Sequence, residues 1–210
     1  MRKSVLLVLF ALNALLCSAQ NYKLHTVFIY SFTRYVIWPE TYNGGEFEIM
    51  VMGDSPILDD LQEMAQAKKV GDRAIKVTKI NNPSEIRKCN ILFVPASKSA
   101  MLSDVVSKVS NQSILIITEE PGLGAKGSDI NFIMKEGKLA FELNQSAVTR
   151  QNLKVANELS RLAILIKQNY GRKTEEEVSA QAHHWQQNPW QFYRSYCPVH
   201  HCCVRYFWQW

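Results

Sequence analysis

The chain has 210 residues, a length that allows one compact domain with appendages. Hydrophobic residues make up 47% of it and charged residues 20%, which is ordinary for a globular protein and argues against a disordered chain. The formal charge is +5, from 24 basic and 19 acidic residues. Because no basic run or stripe stands out, nucleic acid is a poor candidate partner.

The N-terminus has the features of a secretory leader. A short basic start is followed by an apolar run over residues 5–16 and by small side chains within 17–19. We therefore expect residues 1–19 to be a signal peptide that is cleaved before Gln20, and the rest of the chain to be exported. The alternative is a lipoprotein with Cys17 as the lipidated residue, which Leu16 disfavours because a small residue is expected there.

Export changes the interpretation of the cysteines, because disulfides persist outside the cytosol. Cleavage would remove Cys17 and leave Cys89, Cys197, Cys202 and Cys203. Cys89 opens an apolar stretch, so we expect it to be a small, buried hydrophobic residue. The other three cysteines crowd into the end of the chain.

The first element predicted after the leader is a helix over residues 22–36. Trp38-Pro39 ends it, since a proline disfavours helical geometry in the residue before it. The apolar side chains of this helix recur at spacings of three and four and predict one aromatic face, formed by Leu24, Val27, Phe28, Phe32, Tyr35 and Val36.

Strands and helices then alternate along the chain. Strands are predicted over 47–52, 74–80, 89–94 and 113–118, and helices over 56–68 and 101–109. A helical turn is predicted at 82–84. Pro56 fits the start of its helix, because proline is tolerated in a first turn.

A hairpin and a long helix are predicted next. Residues 130–134 and 139–143 are strand-like and flank the turn Glu136-Gly137. Residues 146–168 show helical spacing, and the apolar side of that helix is expected to hold Leu153, Ala156, Leu159, Leu162, Ala163 and Ile166. The order of elements predicts an α/β fold: a single Rossmann-like domain over residues 20–170, with about five to six strands and helices packed on the sheet.

Gly53-Asp54-Ser55 follows a predicted strand, as the nucleophile does in GDS-type esterases. A serine nucleophile needs a histidine to take its proton. The Asp-x-x-His of those enzymes occurs nowhere in the sequence, and His25 is the only histidine of the body. We therefore expect a strand-end turn in which Ser55 or Asp54 caps the next helix.

The segment 122–127 fits Gly-x-Gly-x-x-Gly, the spacing of dinucleotide sites. Such a site requires a helix to begin there, so that free N–H groups hold the pyrophosphate. Because residues 128–134 are strand-like instead, we interpret the segment as a flexible glycine loop.

Residues 171–210 form a tail of different composition. They hold four of the five tryptophans, four of the five histidines and three of the five cysteines. Two interpretations stay open. The tail is either an interaction segment that buries aromatic side chains in a partner, or a sequence appended by read-through or a shifted frame.

Three tail residues, Cys197, His200 and Cys202, are candidate metal ligands, because thiolates and imidazoles bind Zn²⁺ or Cu⁺. Only Cys197 and His200 have the two-residue spacer that structural zinc sites prefer. The alternative is a disulfide among the three tail cysteines. No cofactor is predicted.

Seven short motifs follow one another over about 140 residues of the body. They are FIYSFTRYVIWP (28–39), VMGDSP (51–56), KVGDR (69–73), CNILFV (89–94), TEEPGLGAKG (118–127), INF (130–132) and FELN (141–144). Together they resemble the YfiR family, small periplasmic proteins of bacteria. The resemblance explains the glycine loop and the Gly-Asp-Ser turn without nucleotide or esterase chemistry.

This resemblance implies regulation rather than catalysis. Its best-known members bind the periplasmic part of an inner-membrane diguanylate cyclase and hold it inactive, which lowers cyclic-di-GMP and biofilm formation. Their fold is similar to one half of a periplasmic binding protein, and they can dimerise. Some members carry intrachain disulfides, but Cys89 has no partner in the body of this chain.

We therefore expect a periplasmic, non-enzymatic protein that binds an inner-membrane sensor protein, either a diguanylate cyclase or a kinase. The residues expected at the partner interface are Trp38, Pro39, Asn131, Glu142 and Asn144. Trp38 and Pro39 either present an aromatic edge or close the first helix over the core, and Asn131 alternatively satisfies the hairpin backbone. The alternative function is a periplasmic module that binds a small ligand or a metal.

Overall fold

The computed structural model describes residues 22–166, and its largest element is an eight-stranded sheet. The strands are β1 (Val36–Ile37), β2 (Phe47–Met52), β3 (Lys69–Val70), β4 (Arg73–Ile80), β5 (Ile91–Val94), β6 (Leu115–Thr118), β7 (Ile130–Lys135), β8 (Lys138–Leu143), β9 (Lys154–Val155) and β10 (Ile164–Leu165). The helices are α1 (Lys23–Tyr35), α2 (Ile57–Ala67), α3 (Leu102–Lys108), α4 (Gln145–Arg150) and α5 (Asn157–Leu162). Short 3₁₀ helices cover Glu40–Tyr42, Pro83–Glu85 and Ala96–Met101.

The sheet has the strand order β10-β8-β7-β6-β5-β2-β4-β3. Neighbouring strands from β4 to β7 are parallel, while β8 and β3 run antiparallel to β7 and β4. Strands β5 and β6 are buried along their whole length, as expected for parallel strands covered on both faces. The predicted Rossmann-like α/β fold is confirmed, since six strands have four or more residues and the remaining two only extend the edges.

Helices cover both faces of this sheet and divide its core in two. On one face α1 and α2 bury Ile29, Phe32 and Leu61. On the other face α3 buries Leu102 and Val105. Successive side chains of a strand point to opposite faces of the sheet, so the same strands contribute residues to both clusters.

The predicted hairpin is confirmed as strands β7 and β8. Glu136 and Gly137 join them with φ angles of 51° and 74°, as expected for a two-residue turn that matches the strand twist. Phe132 faces Phe141 across the ladder, and both belong to the core under α1. Since side chains alternate along a strand, the neighbouring pair Asn131 and Glu142 points to the opposite face.

Helix α1 buries only part of the predicted face, since Phe28, Phe32 and Tyr35 belong to the core or pack against it. The ring of Phe32 lies 5.9 Å from that of Phe132 and 5.1 Å from that of Phe141. This packing directs two members of the predicted face outward, so that Leu24 is 56% and Val27 62% exposed. The prediction that these two share one face with Phe32 is therefore wrong.

The single helix predicted over 146–168 is also wrong. Helices α4 and α5 and strands β9 and β10 occupy its described part. Helix α4 stops because Asn152 adopts a φ of 55°, a left-handed conformation that ends helices. The next two strands pair with β1 and β8, and Leu162, expected on the apolar side, is 72% exposed.

Cys89 is buried two residues before β5, which confirms the expectation of a small, buried hydrophobic residue. Burial raises the pKa of its thiol, and the charge of Glu48 raises it further while Arg87 lowers it. The predicted signal peptide, with Cys17, and the tail lie outside the described residues. Between residues 22 and 166, none of the helices is long and apolar enough to cross a membrane.

Candidate functional site

Polar side chains gather where the parallel strands end. The chain passes from β2 to β4 on one side and then to β5 on the other, so the strand order switches between β2 and β5. Open α/β sheets bind ligands outside the carboxyl ends of their strands at such a switch point. At this place lie five residues that we name the carboxyl-edge cluster: Tyr22, His25, Ser55, Ala96 and Glu119.

Glu119 is the centre of the carboxyl-edge cluster. Its Oε1 accepts hydrogen bonds from the hydroxyl of Tyr22 at 3.2 Å and from the N–H of Ala96 at 3.0 Å. Its Oε2 is buried and has no hydrogen-bond partner among residues 22–166. Burial raises the pKa of this carboxyl, while the two donors lower it. Burial and the nearby carboxylate in turn raise the pKa of Tyr22 to about 12.

His25 and Thr26 add buried polar atoms next to Tyr22. The imidazole ring of His25 lies 5.0 Å from the ring of Tyr22 and 4.7 Å from that of Phe132. Burial lowers the pKa of His25, so the imidazole is held in its neutral form. Within the described chain, neither its Nδ1 nor the hydroxyl of Thr26 has a hydrogen-bond partner.

The Gly-Asp-Ser segment forms the predicted strand-end turn but does not cap the helix with a side chain. Pro56 is the N-cap of α2, and the carbonyl of Ser55 accepts from the N–H of Leu58 at 3.1 Å. The carboxylate of Asp54 pairs with Lys79 instead, and the hydroxyl of Ser55 is buried beside Tyr22 without a hydrogen-bond partner among the described residues. The capping prediction is therefore wrong.

A second polar group, the glycine-loop network, lies under the segment 119–128. It consists of Thr118, Gly124, Ser128, Asn131, Glu142 and Asn144. The hydroxyl of Thr118 reaches both Ser128 Oγ, at 2.9 Å, and Asn131 Oδ1, at 2.7 Å. Asn131 donates through Nδ2 to Oε2 of Glu142 at 2.8 Å. Residues 121–127 form turns rather than a helix, which confirms the loop interpretation.

Asn144 joins the glycine loop to helix α4. Its Nδ2 donates to the carbonyl of Gly124 at 2.8 Å, and its Oδ1 accepts from the N–H of Ala147 at 3.0 Å as the helix N-cap. A Cβ on Gly124 would lie 2.3 Å from Cδ1 of Ile166 and 2.8 Å from Oε2 of Glu142, so a larger residue here would displace the ends of those two side chains.

Asp129 is fully buried beside this network and was not predicted from the sequence. Its Oδ2 accepts from the N–H of Ile116 at 2.7 Å, and its Oδ1 has no hydrogen-bond partner in the described part of the chain. Burial raises the pKa of Asp129 to about 8, against the opposing effects of the Ile116 N–H and the charge of Arg150. The fold therefore favours its protonated form at neutral pH.

Trp38 and Pro39 lie at the opposite end of the sheet from the carboxyl-edge cluster. The ring of Trp38 meets that of Phe47 edge-on at 5.3 Å, and its Nε1 donates to the carbonyl of Asn90 at 3.2 Å. Trp38 thus closes the end of α1 over the core, which was one of its two interpretations. Pro39 is half-buried and precedes the 3₁₀ helix Glu40–Tyr42.

Of the five residues predicted at a partner interface, the structure brings three together in the glycine-loop network. Asn131 and Asn144 are completely buried, and Glu142 is half-buried. Glu142 is therefore the member of this trio that offers side-chain surface to another molecule. A partner role for Trp38, Pro39, Asn131, Glu142 and Asn144 stays a prediction.

The predicted metal ligands Cys197, His200 and Cys202 lie outside residues 22–166, so their arrangement stays a prediction as well. Across the described range, no three His, Cys, Asp or Glu side chains are grouped so as to hold a metal ion.

Fold and polar contacts together define a class of protein: a Rossmann-like α/β domain with polar side chains gathered at the carboxyl ends of its strands. The chain belongs to the YfiR/HmsC-like family, whose model matches residues 22–164. That family is regulatory rather than catalytic. No curated protein matches the sequence.

Sequence reasoning missed the carboxyl-edge cluster. Tyr22 and Glu119 are 97 residues apart, so no local spacing relates them. One signal was available: an acidic residue directly after a buried strand, as Glu119 follows β6, stands where ligands of α/β sheets bind.

Proposed function

We propose that this protein is a periplasmic regulator that binds the periplasmic sensor part of an inner-membrane signalling protein, a diguanylate cyclase or a similar enzyme, and restrains it. Membership of the YfiR/HmsC-like family carries this proposal. A regulator of this kind binds one state of the sensor more tightly than the other. A coupling of about 1–3 kcal/mol corresponds to a roughly 5- to 150-fold difference in affinity between the two states.

The exposed side of helix α1 supports a protein partner. Leu24 and Val27 are three residues apart on α1, so their side chains share one face of the helix. We name this pair the α1 surface. The rings of Phe32, Phe132 and Phe141 hold the helix from beneath. A rigid helix with outward apolar side chains suits an interface, because little conformational entropy is lost on binding.

Glu142 offers a second, polar contact. Its carboxylate lies on the opposite face of the hairpin from α1, where Asn131 fixes its position. In the proposed interface Glu142 meets a donor on the sensor. The buried Asn131 and Asn144 position it, and Trp38 and Pro39 fix the end of α1.

Cross-linking in intact cells tests this proposal. The wild-type protein is expected to yield an adduct with a membrane cyclase or sensor kinase, identified by mass spectrometry. Deletion of the protein is expected to raise cyclic-di-GMP several-fold.

The variant Leu24→Glu/Val27→Glu places two charges on the α1 surface and is expected to lose both the adduct and repression. Leu162→Glu is the control, because Leu162 is an exposed apolar residue on another helix, α5. Self-adducts alone, with unchanged cyclic-di-GMP on deletion, contradict the proposed function. Full repression by the folded double variant removes the α1 surface from the interface.

A further inference from the structure

The carboxyl-edge cluster holds an unsatisfied carboxylate oxygen where open α/β sheets bind ligands. The Tyr22 hydroxyl and the Ala96 N–H both bond to Oε1 of Glu119. Oε2 is buried but finds no hydrogen-bond partner anywhere in the described range. Since Ser55 follows β2 and Ala96 follows β5, the group sits at the switch between these strands.

The chemistry of the missing partner follows from the free atoms. An ionised carboxylate only accepts hydrogen bonds, so Oε2 of Glu119 requires a donor. The neutral imidazole of His25 accepts at Nδ1 when its proton is on the other nitrogen, and the hydroxyl of Thr26 accepts as well. Both atoms are buried on the first turn of α1, without partners within residues 22–166. A ligand that meets Oε2 of Glu119 must therefore bring a hydrogen-bond donor.

The distribution of ion pairs also favours a cationic ligand for Glu119. The ion pairs between described residues join Lys76 with Glu46, Lys79 with Asp54, and Arg87 with Glu48. None of these pairs includes Glu119, so its half-buried carboxylate lacks a cation from the described chain. A buried charge without a counter-ion is costly, and a bound cation relieves that cost.

We propose that the carboxyl-edge cluster binds a small primary amine, whose ammonium group donates a hydrogen bond to Oε2 of Glu119. Tyr22 and the N–H of Ala96 orient the carboxylate from the other side. This binding is independent of the proposed regulatory partner, so either proposal can fail alone.

A titration of the purified protein with ethylammonium chloride, followed by NMR, tests the site. The backbone amide signals of Tyr22, Ala96 and Glu119 are expected to shift in a saturable way. A midpoint of about 1 mM or weaker is expected, because a ligand with so few non-hydrogen atoms has a low ceiling of affinity. Ethanol and sodium chloride at equal concentrations are expected to give no saturable shift.

Glu119→Gln keeps the shape of the side chain but removes its charge, and is expected to weaken ethylammonium binding at least about tenfold. Glu120→Gln is the matched control, because it removes the neighbouring charge and is expected to leave the affinity unchanged. A folded Glu119→Gln with wild-type affinity, an equal response to ethanol, or no saturable shift overturns the proposal.

A second measurement uses the wild type, in case Glu119→Gln fails to fold. Bound ammonium is expected to lower the pKa of the Glu119 carboxyl, followed by its side-chain ¹³C signal, because a nearby cation favours the charged form. An unchanged pKa at saturating ethylammonium overturns the proposal.

Discussion

The glycine-loop network and the carboxyl-edge cluster are adjacent in the chain but differ in how their polar atoms are satisfied. In the network, Asn131 and Asn144 each donate and accept hydrogen bonds within the chain. In the cluster, Oε2 of Glu119 and Nδ1 of His25 lack partners among the described residues. Satisfied buried networks fix one conformation, whereas unsatisfied polar atoms are costly and are often retained for function. The comparison therefore separates a stabilising region from a binding region.

The largest loss of stability is expected for Asn144→Ala. The change leaves the carbonyl of Gly124 and the N–H of Ala147 without their partner and removes the N-cap of α4. The free energy of unfolding is expected to fall by about 2–4 kcal/mol, measured by chemical denaturation. Gln145→Ala, at the next and exposed position, is expected to have little effect. Equal losses in the two variants contradict the assignment of Asn144 to a stabilising network.

Asp129→Asn is expected to change how stability depends on pH. The folded protein holds the Asp129 proton up to a pKa of about 8, whereas an unperturbed aspartate loses it near 3.8. Between these values the folded state binds more protons, so this group makes stability fall as pH rises. Its slope is at most about 1.4 kcal/mol per pH unit.

Denaturation of wild type and Asp129→Asn at pH 5 and pH 8 measures this slope. Asparagine keeps an acceptor for the N–H of Ile116 but does not titrate. The stability of Asp129→Asn relative to wild type is expected to rise from the lower to the higher pH, while His25 and Glu119 titrate equally in both proteins. A difference that stays constant with pH shows that Asp129 titrates alike in the folded and unfolded states.

Glu142→Lys is expected to abolish repression at a small cost in stability. The variant removes the acceptor of the buried Asn131 amide, which is expected to lower the free energy of unfolding by about 1–2 kcal/mol. Cyclic-di-GMP in cells is expected to rise to the level of a deletion. Glu142→Gln keeps an acceptor for Asn131 and separates the loss of the hydrogen bond from the change of charge. Normal repression by a folded Glu142→Lys variant removes this residue from the proposed interface.

The smallest effect on stability is expected for Glu119→Gln. The glutamine oxygen still accepts from Tyr22 and Ala96, and the variant no longer buries a charge. The free energy of unfolding is expected to change by less than about 1 kcal/mol in either direction, measured by thermal denaturation. A loss of stability as large as that of Asn144→Ala would show that Glu119 stabilises the fold. It would contradict the distinction between the glycine-loop network and the carboxyl-edge cluster.

The longer elements of the fold were predictable because their local patterns agree with their environment. Strands β5 and β6 are continuous apolar runs, and Glu136-Gly137 is a turn that joins two strands. The two-residue strands β1, β3, β9 and β10 carry no period of their own and depend on distant pairing. The helical spacing of apolar residues over 146–166 continues through α4 and α5. The sequence pattern therefore did not indicate that the left-handed Asn152 separates the two helices.

The site was predictable only in part, because its contacts join residues that are distant in the sequence. Asn131, Glu142 and Asn144 were identified through short motifs, but their bonds to Thr118 and Gly124 depend on how the loop folds back. The exposure of Leu24 follows from the packing of Phe32 against the hairpin, which periodicity in one helix does not encode.

The buried Cys89 has a consequence for measuring motion in this fold. A protonated, inaccessible thiol reacts slowly with alkylating reagents, because the thiolate is the reactive form. Its modification therefore requires the core around it to open, and the labelling rate reports the population of opened molecules. Peptide mass spectrometry distinguishes this thiol from those near the C-terminus. Cys89 is thus a native probe of local opening in this domain, because its rate of labelling can be measured without an engineered cysteine.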